Sequence, residues 1–199
     1  LAFFNWGGIG IENARFVGLR NFELFMFNGS PITTEYFWLS LWNNFKIGFW
    51  MVLVIIPVSL VLAFLIIRAG RGWTGVFRTA FFIPMVAAGV GVFFMWKGLL
   101  QADGVLNTLF RSLHMDFLVA KEGWFGDSRF ALAGIIIVAI WGSIPGTMIL
   151  YYAGILGIDN NLYEAASIDG AGKFRQLVSI TWPMIKPISL VCIVNILNG

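Results

Sequence analysis

The sequence has little charge, a single cysteine and a single histidine. Only 12% of its 199 residues are charged and 59% are hydrophobic, whereas soluble domains carry about 25% charged residues. It contains one cysteine, Cys192, and one histidine, His114, which excludes an internal disulfide and any Cys/His metal-ligand spacing. The shortage of charge indicates that much of the chain lies in a lipid bilayer.

Motifs of hydrolases and nucleotide-binding proteins are also missing. There is no HExxH or GxSxG pattern. Residues 170–173 (Gly-Ala-Gly-Lys) end like a phosphate-binding loop, but Ser167 stands where that loop needs glycine and Phe174 where it needs Ser or Thr. We therefore expect a chain that is not an enzyme, binds no metal or cofactor, and does not bind ATP itself. We expect His114 to be a solvated loop residue.

The formal net charge of +3 does not indicate nucleic-acid binding, because the 13 basic residues are scattered. Arg68, Arg71 and Arg78 form a short loop without any acid, and the positive-inside rule places such a loop in the cytoplasm. Residues 97–129 have balanced charge, which is typical of a loop on the other side. The sequence thus predicts an orientation as well as a membrane location.

Three stretches without charge, 47–67, 79–96 and 130–158, are long enough to hold a span, since a helix needs about 20 apolar residues to cross a bilayer. They predict an all-α polytopic membrane protein. The mixed, aromatic-rich segment 1–45 is expected to be external or interfacial, and its residues 35–45 are expected either to lie at the interface or to begin a helix. We place the spans at about 46–67, 79–99 and 130–156, and the start of a further span at 188–199.

The apolar stretches contain prolines and a small-residue pair. Pro57, Pro84 and Pro145 are acceptable there because neighbouring helices can satisfy the freed backbone carbonyls. Gly142 and Gly146 form a GxxxG pattern, which predicts either close helix approach or, with Pro145 between them, a bend. Because the chain begins at Leu1 without a signal-peptide pattern and stops inside an apolar run, we expect an excerpt of a longer protein.

The polar segment 159–187 contains YEAASIDGAGKFRQLVSITWPMIKP over residues 163–187. Asn161 is predicted to cap a short helix with Glu164 at its third position, and Gly170 and Gly172 to end it. A second short helix is expected from near Lys173 to Pro183 and Pro187, with one amphipathic face. The residues of that face are Phe174, Leu177, Val178, Thr181 and Trp182. The pattern alone leaves open an interfacial hairpin without a partner or a docking element.

This segment resembles the EAA loop of ABC importer permeases. Leu177 stands where that family usually has Phe. The runs FVGLRNF at 16–22 and WGSIPGTMILYYAG at 141–154 are similar to the carbohydrate-importer branch of the family. The matching loop residues are Glu164, Ala165, Ala166, Asp169, Gly170, Ala171, Ile180, Thr181, Pro183 and Pro187.

The resemblance implies a type I ABC importer permease fold, of which this chain would be a fragment of the six-span core, in the bacterial inner (plasma) membrane. The EAA loop would be the helix that couples the permease to ATP hydrolysis. The implied partners are a second permease subunit, two ATP-binding subunits, an extracytoplasmic sugar-binding protein and membrane lipid, with no nucleic acid. The implied coupling residues are Glu164, Ala165, Ala166, Asp169, Gly170, Ala171, Ile180 and Pro183.

The resemblance favours a sugar or oligosaccharide as the transported solute and leaves two alternatives. One is an importer permease for an amino acid, a peptide or a phosphate ester. The other is a structural or sensory membrane protein whose loop binds a different partner. Trp141, Ser143 and Tyr151 are either sugar contacts or packing residues, with packing favoured.

Overall fold

The computed structural model describes residues 2–5, 14–68, 75 and 89–198. These form two compact units, 1–47 and 48–199. Residues 69–74 and 76–78 of the basic loop, and residues 79–88 of the second predicted span, lie outside the described residues.

The first unit opens with a small antiparallel pair of strands, β1 (Phe4–Asn5) and β2 (Arg15–Phe16). Helix α1 (Arg20–Glu23) continues into a π-helical turn, Leu24–Asn28. The side-chain amide of Asn21 donates hydrogen bonds to the carbonyls of Ala2 and Phe4, at 2.9 and 3.0 Å, and so ties α1 to the first strand.

Helix α2 (Pro31–Arg68) begins at Pro31 and not near residue 46, where the sequence predicted the first span to begin. Proline suits the first position of a helix because its missing N–H needs no partner there, and Ser30 Oγ accepts a hydrogen bond from the Thr33 amide at 3.3 Å. Pro57 lies inside α2. Part of the segment expected to be external or interfacial is therefore helical and continuous with the span.

The second unit adds α3 (Gly89–Leu100) and α4 (Val105–Ser112), then the long helix α5 (Ala131–Leu156). A single 3₁₀ turn, Asp116–Leu118, lies between α4 and α5. The remaining elements are α6 (Asn160–Ile168), α7 (Lys173–Gln176), a π-helical turn at Leu177–Thr181 and α8 (Trp182–Asn198).

Three helical stretches in the described part of the chain are long and apolar enough to cross a membrane: Thr33–Arg68, Ala131–Leu156 and Lys173–Asn198. The last shows that α7, the π turn and α8 form one continuous helix. The prediction of a short second helix that ends at Pro183 and Pro187 is therefore wrong. Residues 188–198, predicted to begin a further span, are the last part of this helix. Pro183 and Pro187 do not close the loop, because both lie inside the helix that continues to Asn198.

Helices α2, α5 and α8 share one apolar core. Its buried side chains include Ile66 from α2, Met148 and Tyr151 from α5, and Ile185 and Cys192 from α8. Helices α5 and α8 approach closely at Gly154, where an added Cβ would overlap Ile188 Cδ1. Gly142 and Gly146 have open space at their Cβ positions among the described residues, so the GxxxG pair is not the contact that joins these helices.

The loop between α3 and α5 is organised by one buried amide. Asn107 donates to the carbonyls of Ala102 and Ala120, at 3.0 and 2.7 Å. Its Oδ1 accepts hydrogen bonds from the Ala120 amide at 3.1 Å and from Trp124 Nε1 at 3.2 Å. Asn107 therefore fixes the residues at both ends of this loop around the buried side chains of Leu100, Ala120 and Trp124.

Candidate functional site

The segment that resembles the EAA loop folds as helix α6, a tight turn and the start of the long helix Lys173–Asn198. Its N-terminal cap is Asp159 and not Asn161, since Asp159 Oδ1 accepts a hydrogen bond from the Asn161 amide at 2.9 Å. Glu164 is consequently the fifth residue of α6, beyond its first turn. The predicted capping-box role of Glu164 is wrong, because the helix begins earlier than its polar pattern suggested.

The turn after α6 has the hydrogen bonds of a Schellman motif. The Ala171 amide donates to the Ala166 carbonyl at 2.8 Å, and the Gly170 amide donates to the Ser167 carbonyl at 3.1 Å. Gly170 has φ = 78°, a region that glycine occupies without the steric cost that a Cβ imposes. The predicted bend at Gly170 is therefore present, with a backbone conformation that favours glycine.

The buried face of the long helix differs from the predicted amphipathic face. Gln176, Thr181 and Ile185 are buried, whereas Phe174 and Val178 are exposed. The step from Gln176 to Thr181 is five residues and crosses the π turn. A sequence pattern of apolar residues three and four apart does not detect this face, because the π turn rotates Thr181 onto the same side of the helix as Gln176.

Polar contacts hold α6 against the long helix. Gln176 Nε2 donates to Ser167 Oγ at 2.8 Å and to the Ala171 carbonyl at 3.2 Å. The Tyr163 and Thr181 hydroxyls lie 2.8 Å apart within hydrogen-bond distance. The sequence interpretation assigned no role to Gln176, Tyr163 or Ser167. The sequence offered one indication of this contact, namely that Gln176 is a polar, uncharged residue next to the apolar positions of the helix.

Some of the predicted coupling residues come together and others do not. A surface depression of about 250 Å³ is lined by Ala166, Asp169, Ala171 and Ile180, together with Arg175, Gln176 and Ser179. Glu164, Ala165 and Gly170 are exposed but do not line it, and Pro183 is exposed on α8. Among the described residues, no three His, Cys, Asp or Glu side chains are grouped as a metal site would require.

The two large apolar side chains beside the turn are turned outward. Ile168 is 87% exposed at the end of α6, and Phe174 is 78% exposed at the start of the long helix. They lie on either side of Gly170 in the sequence. Large apolar side chains exposed in this way are typical of a surface that contacts another protein or a membrane.

Comparison with known proteins identifies the family. The family described as "Binding-protein-dependent transport system inner membrane component" matches residues 56–198. The chain belongs to this family. The resemblance inferred from the EAA loop is thus confirmed, as is the location in the inner membrane, and the family is one of transport subunits.

Individual relatives support the same assignment. The chain is 33% identical to the "Probable ABC transporter permease protein YurN" of Bacillus subtilis, over 100% of this chain and 66% of that protein. It is 32% identical to the "Lactose transport system permease protein LacF" of Rhizobium radiobacter, over 77% of this chain and 51% of that protein. For the "Arabinooligosaccharides transport system permease protein AraP" of Bacillus subtilis the identity is 26%, over 92% and 56%.

A solved structure has the same fold. It is that of a bacterial ABC transporter involved in the import of the acidic polysaccharide alginate, with a TM-score of 0.67 and 24% identity over 77% of this chain and 53% of that chain. The predicted all-α polytopic fold is confirmed. This chain spans about half to two thirds of the length of the curated relatives named above.

Proposed function

We propose that this chain forms part of the translocation path for a sugar or oligosaccharide, and that residues 159–183 dock against a separate ATP-hydrolysing subunit. The names of the lactose and arabinooligosaccharide permeases support the solute class. The permease itself has no catalytic site in this proposal. Its partners are a second permease subunit, two ATP-binding subunits and an extracytoplasmic sugar-binding protein.

The outward-facing pair Ile168 and Phe174 is the observation that carries the docking proposal. A short helix with exposed apolar side chains suits insertion into a groove of a partner. Exposed Glu164 adds a carboxylate that pairs with a basic group of the ATPase subunit. The depression lined by Asp169 and Arg175 offers both signs of charge beside the apolar contact, which fixes the register of docking.

The structure of the loop suits transmission of force to the membrane. The second half of the loop is the first part of the helix Lys173–Asn198, a candidate span. ATP binding closes the ATPase pair, moves the docked loops and turns the permease pair from inward-facing to outward-facing. Reversing a 1:99 preference between two such states takes about 5.5 kcal/mol of differential binding. Residues 159–183, here called the docking unit, must therefore keep their shape while they transmit this energy.

The test compares loop variants in the full-length permease. Glu164→Ala and Ile168→Ser are expected to insert normally but to retain less ATPase subunit on co-purification in detergent. Gly170→Val is expected to lower both ATPase retention and substrate-stimulated hydrolysis. Phe117→Ser is the matched control, because Phe117 is also a highly exposed aromatic residue, 72%, but lies in the loop between α3 and α5.

Uptake assays with a panel of sugars, amino acids, peptides and phosphate esters address the solute. Uptake of a sugar or oligosaccharide alone supports the proposed class. Selective uptake of another class would contradict it and leave the docking proposal standing. Normal ATPase retention, hydrolysis and uptake in all three loop variants would contradict the docking role.

A further inference from the structure

One buried side chain connects the two halves of the docking unit. Gln176 is 4% exposed, and its Nε2 donates to Ser167 Oγ at 2.8 Å and to the Ala171 carbonyl at 3.2 Å. A third contact joins Nε2 to the Tyr163 carbonyl at 3.4 Å. The amide nitrogen has two hydrogens, so both are used within the loop. Breaking this arrangement leaves a buried donor without a partner, which is costly.

A second connection lies five residues further along the helix. The Tyr163 hydroxyl meets Thr181 Oγ1 at 2.8 Å, and Thr181 is 3% exposed. Ser167 Oγ, which accepts from Gln176, itself donates to the Tyr163 carbonyl at 2.7 Å. Helix α6 is thus held at two points of the long helix, and the π turn Leu177–Thr181 lies between them.

The five-residue spacing makes these contacts depend on the π turn. In a regular α-helix each residue turns the chain by about 100°, so side chains five apart point about 140° away from each other. Gln176 and Thr181 both reach α6 because the π turn changes this register. Keeping both contacts therefore fixes the rotation of the long helix relative to α6.

The position of Gln176 also matters for the shape of the unit. Gln176 lines the depression of about 250 Å³ that Asp169 and Arg175 share. It also lines a larger cavity of about 620 Å³ between the end of α2 and the start of the long helix. The chain between α6 and the long helix contains two glycines, Gly170 and Gly172, which favour a flexible connection. The hydrogen bonds of the Gln176 amide restrain this connection, and without them it is expected to bend more freely.

We propose that Gln176 is the positioning residue that makes α6 and the long helix move as one body. The inference rests on the proposed docking of this loop to an ATPase subunit. A displacement of α6 then moves the helix Lys173–Asn198, because the chain does not bend at Gly170 and Gly172. Gln176 is 4% exposed and its amide is bonded to Ser167 and Ala171, so in this proposal it lies beneath the depression, where Asp169 and Arg175 supply the contacts to the ATPase subunit. Its loss therefore separates docking from transport.

The functional test uses the full-length permease assembled with its ATPase and binding protein in proteoliposomes. Gln176→Leu removes the amide donors and replaces them with an apolar side chain of similar size. ATPase retention is expected to stay normal, while solute uptake per ATP hydrolysed falls at least about fivefold, the lower end of typical coupling between sites. Ser167→Ala removes the nearest acceptor and is expected to act in the same direction. Ser128→Ala, which removes an exposed hydroxyl in the loop between α3 and α5, is the control.

A distance measurement separates positioning from a general structural defect. Spin labels at Leu162 on α6 and Met184 on α8, both exposed, are introduced with Cys192→Ala. One narrow distance distribution is expected for the native loop and for Ser128→Ala, and a clearly broader one for Gln176→Leu and Ser167→Ala.

The outcomes distinguish this inference from the docking proposal. A narrow distribution with normal coupling in Gln176→Leu would overturn the inference. If Gln176→Leu does not accumulate in the membrane, unchanged distance and coupling in Ser167→Ala would overturn it. If the unmodified permease retains no ATPase, the docking proposal fails, while the distance distributions still decide whether Gln176 fixes α6.

Discussion

The hydroxyl of Tyr151 on α5 donates a hydrogen bond of 2.9 Å to Ser189 Oγ on α8. Tyr151 is fully buried, and Ser189 in turn donates to the Ile185 carbonyl at 3.3 Å. The pair joins two candidate spans inside their shared core. Of the two roles that the sequence left open for Tyr151, sugar contact or packing, this geometry supports packing.

Removing the Tyr151 hydroxyl is therefore expected to affect stability and not transport. Tyr151→Phe should cost about 0.6 kcal/mol, the average for hydrogen bonds between membrane helices, and leave uptake unchanged. Unfolding of the detergent-solubilised permease, compared with uptake in proteoliposomes, measures both. Ser189→Ala should have a similar effect, because it removes the same bond. Loss of uptake at unchanged stability in Tyr151→Phe would contradict a packing role.

The sequence predicted the parts of the fold that depend on average composition. The charge-free stretch 130–158 contains the helix Ala131–Leu156, because a span requires apolar length and little else. The turn at Gly170 was also predictable, since glycine is the residue that ends helices in this conformation. The family followed from residues 164–183, where many positions match at fixed spacing.

The parts that the sequence did not predict depend on single contacts. The start of α2 at Pro31 depends on a local cap by Ser30, which aromatic content alone does not reveal. Asp159 and not Asn161 caps α6. Because Asp and Asn are about equally favourable at that position, the sequence does not distinguish the two. The buried face at Gln176 and Thr181 requires a π turn, and a pattern based on 3.6 residues per turn gives no sign of it.

Asn107 is expected to hold the loop between α3 and α5 in its native form. Asn107→Leu leaves the Ala120 amide, the Trp124 indole and two carbonyls without their partner. Each buried group left unpaired costs about 1–3 kcal/mol, so this loop should open locally. Hydrogen exchange at the Ala120 amide should rise strongly, whereas Thr108→Val, a change on the same helix, should leave it protected. Equal protection in both variants would show that Asn107 is not the organising contact.

The two glycines of the docking loop are expected to differ in their tolerance of alanine. Gly170 has φ = 78°, where an alanine costs about 1–2 kcal/mol. Gly172 has φ = −66° and open space at its Cβ position among the described residues. Gly170→Ala should therefore lower the stability of the loop, as seen by limited proteolysis, and Gly172→Ala should not. Identical behaviour of the two variants would argue against the turn geometry.

The orientation inferred from loop charge has a direct test. Single cysteines at Gly72 and Asp103, in a Cys192→Ala background, are labelled with an impermeant thiol reagent in intact spheroplasts. Position 103 is expected to react and position 72 to react only after lysis, because the positive-inside rule predicts a cytoplasmic location for the basic loop. Strong labelling at 72 with none at 103 would reverse the assignment.

Cross-linking from Ala165 tests most directly whether residues 159–183 contact an ATP-hydrolysing subunit. Ala165 is exposed on α6, so Ala165→Cys changes little else and carries a short photoactivatable label. In membranes with the complete transporter, a cross-link to the ATPase subunit is expected from position 165. The same label at Ser112, exposed in the loop between α3 and α5, should give none. Absence of that product at 165, with the ATPase present and the label shown to be reactive, would contradict the account.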